Sequence, residues 1–393
     1  MFGQWNYILS IVLLFGPFIS FGTDSILMQK SVLDPLNENT WLWSGFHIRL
    51  FGSILAFIFC IAAVLISNNS ISYLYLVMVL CLSFFSKPIE ISDVYFRIHV
   101  ISKYTAWSKI IGLFISFVAK VLVLMYTKNL MLFGFFFSFD YIISSWLSYY
   151  FLIRKNSRIK YEHFDRSRTF LILKESLPLF VSILAYTIYA RIDVIMIGNY
   201  LTTKDVGVYS ASIKILDMVI AMLLVISSTL FPVLSQKFKS DKMAFFNISG
   251  FVSSLLTLAA YIGFILFLFI GKKMVFLMFG TEFLDVYEVF IVHLLGLIFL
   301  FNGTVRSSML IILGKQKFVL ISSVMSAIIN IILNYILIPE YGIIGAASAS
   351  AFTHFISLFL INILFSETRD VFLIQLKSLF CLYLFKNWQK YYK

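Results

Sequence analysis

Eleven long apolar runs follow one another along this chain with only short polar connections between them, and few folds can accommodate that pattern. They cover residues 5–28, 48–67, 71–95, 106–126, 130–153, 177–200, 207–235, 246–270, 286–304, 317–338 and 343–365. Each is close to the roughly 20 apolar residues that carry a helix across about 30 Å of hydrocarbon. A spanning segment must satisfy its backbone polar groups internally, which leaves α-helices or a closed β-barrel. The runs are continuous and do not alternate at period two, so the barrel is excluded. With 61% of 393 residues apolar and 13% charged, a soluble globular domain is excluded as well. The expected fold is an all-α polytopic membrane protein with about 11–12 spans. Residues 371–385 form a shorter apolar segment, either a tilted twelfth crossing or an interfacial helix.

The net charge of +12 reads first as topology. Alternating the spans gathers Lys30, Arg49, Arg97, Arg154, Arg166, Lys237, Arg306 and Arg369 on one side, with most other cations. The opposite side receives Lys128, Lys204, Lys272 and Lys273. The rich side is cytoplasmic by the positive-inside bias, which puts Met1 outside. No separate basic domain exists, so nucleic acid is not an expected partner. A weak internal repeat bears on the placement of Met1. Phe2-Gly3-Gln4-Trp5-Asn6-Tyr7 opens the first span much as Val206-Gly207-Val208-Tyr209 opens the seventh, and the two exit through Gln29-Lys30 and Gln236-Lys237. Nothing in the first half then corresponds to the 177–200 span. One span is expected to be missing before Met1, which reads as an internal methionine of a longer frame. The division expected is an N-terminal bundle (1–153), a basic cytoplasmic linker (154–174), a C-terminal bundle (175–365) and a short apolar segment with a basic tail (366–393).

The 177–200 span is the most informative. Its eleven Leu, Ile, Val and Phe residues supply about −5 kcal/mol of insertion energy, while Arg191 and Asp193 together cost about +5 to +7. The helix is acceptable only with those two side chains turned toward other helices or a wet cavity. In the next helix, Ser210, Lys214 and Asp217 share one face at i, i+4 and i+7.

At Arg-Ile-Asp-Val-Ile-Met-Ile-Gly-Asn (191–199), followed by Thr-Lys-Asp-Val-Gly-Val-Tyr-Ser-Ala-Ser-Ile-Lys (203–214), the chain resembles the Wzx-type polysaccharide flippases of the multidrug/oligosaccharidyl-lipid/polysaccharide exporter superfamily. Gly-Thr-Asp-Ser-Ile-Leu (22–27) and Ile-Ser-Asp-Val-Tyr-Phe-Arg (91–97) agree with that likeness. The run at 330–347, Asn-Ile-Ile-Leu-Asn through Gly-Ala-Ala, is the most family-like of all. The resemblance implies two six-helix bundles related by a pseudo-two-fold axis around a central cavity. It also implies a flippase that moves undecaprenyl-pyrophosphate-linked oligosaccharide repeats, of O-antigen, lipopolysaccharide or capsule type, across the bacterial cytoplasmic membrane. Its partners would be that glycan, membrane lipids and the polysaccharide polymerase machinery.

Such a substrate needs cations for its pyrophosphate. Arg191 leads the candidates, because a guanidinium pairs bidentately with phosphate oxygens and keeps its charge. Lys214, Lys120, Arg49 and Arg306 complete the substrate-binding set, the last two near cytoplasmic helix ends. Each has a plainer reading: a structural ion pair for Arg191, neutralisation by Asp217 for Lys214, outward snorkelling for Lys120, and topology for Arg49 and Arg306. Asp193, Asp24 and Asp217 are the ion- or proton-coupling candidates, with helix-end hydrogen bonding as the plainer role of Asp24. Asn330 and Asn334, at i and i+4, read as glue between helices. Pro88, Pro178 and Pro232 are expected to bend their helices.

No catalytic constellation stands out, so no enzyme activity is expected. The five histidines are scattered, the cysteines (Cys60, Cys81, Cys381) read as buried free thiols, and neither a metal site nor a nucleotide-cradling glycine loop is present, so no cofactor is expected. Two alternatives remain: a cation-coupled multidrug antiporter of the same superfamily, and a membrane polysaccharide polymerase or ligase. The latter would need a large outward loop, and the longest expected one is Gly271–Asp285.

Overall fold

The computed structural model describes residues 1–67, 71–155 and 164–384, and every regular element among them is helical. Arg158, Lys160 and His163 of the basic linker, and the basic tail from residue 385, lie outside the described residues. Ten stretches are long and apolar enough to cross a membrane. The last of them, Lys317–Leu364, contains two of the apolar runs joined across Gly342. A left-handed φ of 59° at that residue makes the kink, at the point where the sequence separates residues 338 and 343.

The chain folds into two compact units. Unit 1 holds Tyr7–Arg191, and unit 2 holds Phe2–Asn6 with the chain from Ile192 onward. Unit 1 contains α1 (Phe2–Leu14, from Tyr7), α2 (Asp24–Leu33), α3 (Glu38–Ile66), α4 (Ile71–Cys81), α5 (Ile91–Ile98), α6 (Lys103–Tyr126), α7 (Leu130–Lys155) and most of α8 (Arg166–Tyr200). Its core packs Leu27, Trp41, Ile48, Val94, Phe96 and Ile172. Unit 2 contains the end of α8, then α9 (Thr203–Ser240), α10 (Lys242–Phe279), α11 (Val286–Ile312), α12 (Lys317–His354) and α13 (Arg369–Leu379), around Leu234, Phe245, Val305 and Leu310.

Two local backbone features shape the helix ends. A capping box opens α9: the Thr202 hydroxyl accepts from the Asp205 amide, and the Asp205 carboxylate accepts from the Thr202 amide. The first span, in contrast, is not one helix. Pro17 starts a separate turn, Pro17–Ser20, and Phe21 and Gly22 take left-handed φ values of 48° and 68° before α2 begins. Gly22 is required there, because a Cβ would sit 2.9 Å from the Phe180 amide nitrogen on α8.

One expectation changes: the connection read as Gly271–Asp285 is mostly helix, since α10 runs to Phe279. Of the two readings of 371–385, the described residues support the shorter helix: α13 has 11 residues, about 16 Å at 1.5 Å each, half the hydrocarbon thickness. It packs on α10 and α11, with the Ser378 hydroxyl donating to the Gly250 carbonyl at 3.0 Å.

Candidate functional site

Pro88 organises the main polar site of unit 1. It has no N–H to give the Phe84 carbonyl, and residues Leu82–Glu90 wind as a 3-10 helix instead of continuing α4. The Ser53 hydroxyl of α3 takes up the freed carbonyl at 2.8 Å, sharing its proton with the Arg49 carbonyl. A nine-residue 3-10 run is unusual, and at three residues per turn it stacks every third side chain in one row. Phe84, Lys87 and Glu90 form such a row, and all three line a pocket of about 300 Å³. Gly16, Ser20 and Asp24 from the broken first span, Arg49 from α3, and Phe137 and Tyr141 from α7 contribute to its other walls.

The charges in this pocket are paired. Arg49, 4% exposed, donates from Nη2 to Asp24 Oδ1 at 2.7 Å, and Arg97 Nη2 reaches Asp24 Oδ2 at 3.4 Å. Lys87 Nζ bridges to Glu90 Oε1 at 2.8 Å and lies 4.4 Å from the centre of the Tyr141 ring. The Ser145 hydroxyl donates to the same Glu90 oxygen at 3.3 Å. Asp93, close by in sequence, is held separately by Ser148, Thr105 and Lys109. Arg49 Nη1 reaches the Lys87 carbonyl at 3.4 Å, while its Nε–H has no acceptor.

Arg49 is therefore a buried member of an internal ion pair, not a cation at an open helix end. Asp24 is the first residue of α2, but it makes no capping hydrogen bond there; its carboxylate gathers two guanidinium groups instead. Lys87, Glu90 and Tyr141 were not among the sequence candidates. The signal for two of them was available, since an i, i+3 pair of opposite charges inside an apolar run has to be sheltered. Lys120 is half-buried, its ammonium 5.6 Å from the ring centre of Phe137.

In unit 2 the polar residues form a second group. Asp193 is buried and accepts from the Tyr209 hydroxyl at 2.5 Å and from its neighbour's amide, Val194, at 2.8 Å. The Tyr209 ring lies 5.4 Å from that of His293. His354 Nδ1 is beside Gly296, one turn along α11 from His293, so two histidines far apart in sequence meet in one buried region. Asn334 donates to Asn330 Oδ1 at 2.9 Å, both side chains fully buried, a bond within α12 and not between helices. Arg306 is also buried, donating from Nε to Asn362 Oδ1 at 2.8 Å and from Nη2 to Ser322 at 2.6 Å. Like Arg49, it is interior to its unit and does not stand at a helix end. Lys214 and Asp217 are exposed on α9 with Ser210 buried beside them, and Arg191 is half-buried on α8. Cys60 and Cys81 are buried free thiols, Cys381 a half-buried one. Among the described residues no cluster of His, Cys, Asp and Glu forms a metal site.

Ten apolar stretches with charged side chains sheltered inside them define a multi-pass membrane protein. The model of the polysaccharide biosynthesis protein family matches residues 1–238, more than half of the chain, and the protein belongs to that family. The MatE family model matches residues 178–336. Among curated proteins, the probable low-salt glycan biosynthesis flippase Agl15 of Haloferax volcanii is 30% identical over 174 residues, 42% of this chain and 35% of that protein. The capsular polysaccharide biosynthesis protein CapF of Staphylococcus aureus is 25% identical over 186 residues, 47% of this chain and 46% of that one. These matches thus span between a third and a half of the relatives' length. The fold is similar to that of an inward-facing multidrug resistance MATE family transporter of the MOP superfamily (TM-score 0.75, 14% identity, 96% of this chain and 91% of that one). It is also similar to the lipid II flippase MurJ in an inward closed conformation (TM-score 0.65, 18% identity, 98% and 91%).

Proposed function

We propose that this protein is a flippase, not an enzyme, that carries a lipid-linked glycan across the cytoplasmic membrane of a bacterium. The substrate in this reading is an undecaprenyl-pyrophosphate-linked oligosaccharide repeat of O-antigen or capsule type, passed on to polysaccharide polymerase machinery. The strongest support is the pairing of family membership with a mixed-charge, hydroxyl-bearing pocket inside membrane-spanning helices. Charges at that depth are costly and commonly mark a polar substrate's route. Access would alternate between the two membrane faces, as in other transporters built from repeated halves. Arg191 is the proposed pyrophosphate contact, with Lys214 and Lys120 as secondary cations. Arg306 would act on the substrate only indirectly, through the interior it organises, while Arg49 lines the unit 1 pocket beside Asp24. Asp193 is the foremost ion- or proton-coupling residue, with Asp24 and Asp217 behind it.

A cation-coupled multidrug antiporter is the second reading, favoured by the MatE match and by the buried carboxylate of Asp193. Deleting the gene separates the two. A flippase deletion leaves cells without surface glycan and with the lipid-linked repeat accumulating on the cytoplasmic leaflet. Intact glycan together with heightened sensitivity to cationic drugs would decide for the antiporter.

A further inference from the structure

We infer that the unit 1 pocket is a sugar-binding subsite that takes an uncharged pyranose ring of the transported glycan. The inference rests on the flippase reading and names which part of the substrate this pocket recognises.

The charge balance of the lining is the first argument. Two carboxylates, Asp24 and Glu90, face two cations, Arg49 and Lys87, and each cation is within 2.8 Å of its acid. Arg97 sits on the far oxygen of Asp24. A pyrophosphate placed here would face the two carboxylates at close range, and a cationic drug the two cations. A neutral, hydroxyl-rich ring meets neither repulsion. Its hydroxyls donate to lone pairs of Asp24 and Glu90 that the salt bridges leave unused, and accept from the remaining protons of Lys87.

A second observation points to a missing acceptor. Arg49 is almost wholly buried, lines the pocket, and keeps an Nε–H without a partner. A guanidinium N–H only donates, and a hydroxyl, a ring oxygen or an acetamido carbonyl of a sugar would complete it once Arg49 turns toward the pocket. The walls match the rest of a sugar. Phe84, Phe137 and Tyr141 offer aromatic surface to the C–H faces of a pyranose, while Ser20 and Ser83 add hydroxyls. The 3-10 winding places an aromatic, a donor and an acceptor (Phe84, Lys87, Glu90) in a single row along the pocket wall. A volume of about 300 Å³ is at the small end for ligand sites and suits one glycosyl residue better than a whole repeat.

The test uses the full chain purified in detergent and calorimetric titration with two probes. One is the oligosaccharide repeat released by mild acid from the host's own surface glycan; the other is inorganic pyrophosphate. The oligosaccharide is expected to bind, and Tyr141→Leu and Glu90→Gln each to weaken it at least tenfold, with pyrophosphate binding unchanged in both. Tyr261→Phe, in unit 2, serves as the control with wild-type affinity. The inference is overturned if the oligosaccharide does not bind the wild type, if both folded variants bind it within twofold of wild type, or if pyrophosphate competes for the site. Its failure is distinct from failure of the flippase reading. Loss of surface glycan on gene deletion, with oligosaccharide affinity unaffected by the pocket variants, removes the subsite and leaves the flippase.

Discussion

Gly3 and Gly207 lie in contact: a Cβ built on Gly207 would meet Gly3 N at 3.6 Å and Gly3 Cα at 3.7 Å. These are the two glycines that the weak internal repeat aligns, one in the opening of the first span and one in that of the seventh. The approach is asymmetric. A Cβ on Gly3 would land on the Thr203 carbonyl oxygen at the start of α9, whereas one on Gly207 makes only ordinary contacts. Gly3→Ala is therefore expected to cost about 1–3 kcal/mol, as overpacking does, and Gly207→Ala to be tolerated. Thermal melting of the two variants in detergent checks the difference; equal melting temperatures would contradict it.

Arg49 and Asp24 give a second prediction. Asp24→Ala strands a buried guanidinium and should destabilise by about 2–3 kcal/mol. That is below the usual cost of breaking a fully buried pair, because the Asp24 side chain is 37% exposed. Adding Arg49→Ala removes the stranded charge, so the double variant should be less destabilised than the sum of the two single ones. Additive losses in a double-mutant cycle would mean that the pair does not interact.

Tyr209→Phe deletes the hydroxyl that donates to buried Asp193. A carboxylate left short of a donor costs about 1–3 kcal/mol, so the variant should melt several degrees lower. Asp193→Asn keeps the shape and loses the charge. Under the proposed coupling role it should reach the membrane in normal amount and fail to support surface glycan, and wild-type glycan levels would remove Asp193 from the mechanism.

Arg191→Ala is expected to abolish surface glycan while the protein persists in the membrane, and Arg191→Lys to restore little of it. A lysine supplies the charge without the planar fork that pairs with phosphate oxygens. Immunoblotting of membranes beside glycan staining distinguishes lost transport from lost protein.

The element pattern was legible because a bilayer imposes it one segment at a time. Run length and the need to satisfy the backbone internally set the helices, and even the kink at Gly342 falls where the sequence separates two apolar runs. The candidate site was legible only in part. Arg49, Asp24 and Arg306 were visible as charges within or beside apolar runs, but their partners were not, since Asp24 meets Arg97 across 73 residues and Arg306 meets Asn362 across 56. The break at Phe21–Gly22 was missed because a left-handed phenylalanine leaves no mark on hydropathy.

By itself, then, the order of residues determined that this chain is a bundle of membrane-crossing helices and which side chains are too costly to face lipid. Hydropathy sums over neighbours in the chain, and those properties are local. Only the tertiary structure decided which charges cancel and which polar groups share a pocket. Coulombic pairing and hydrogen bonding act through space, and here they join a proline-induced 3-10 turn, a broken first span and a buried arginine that no spacing in the sequence brings together.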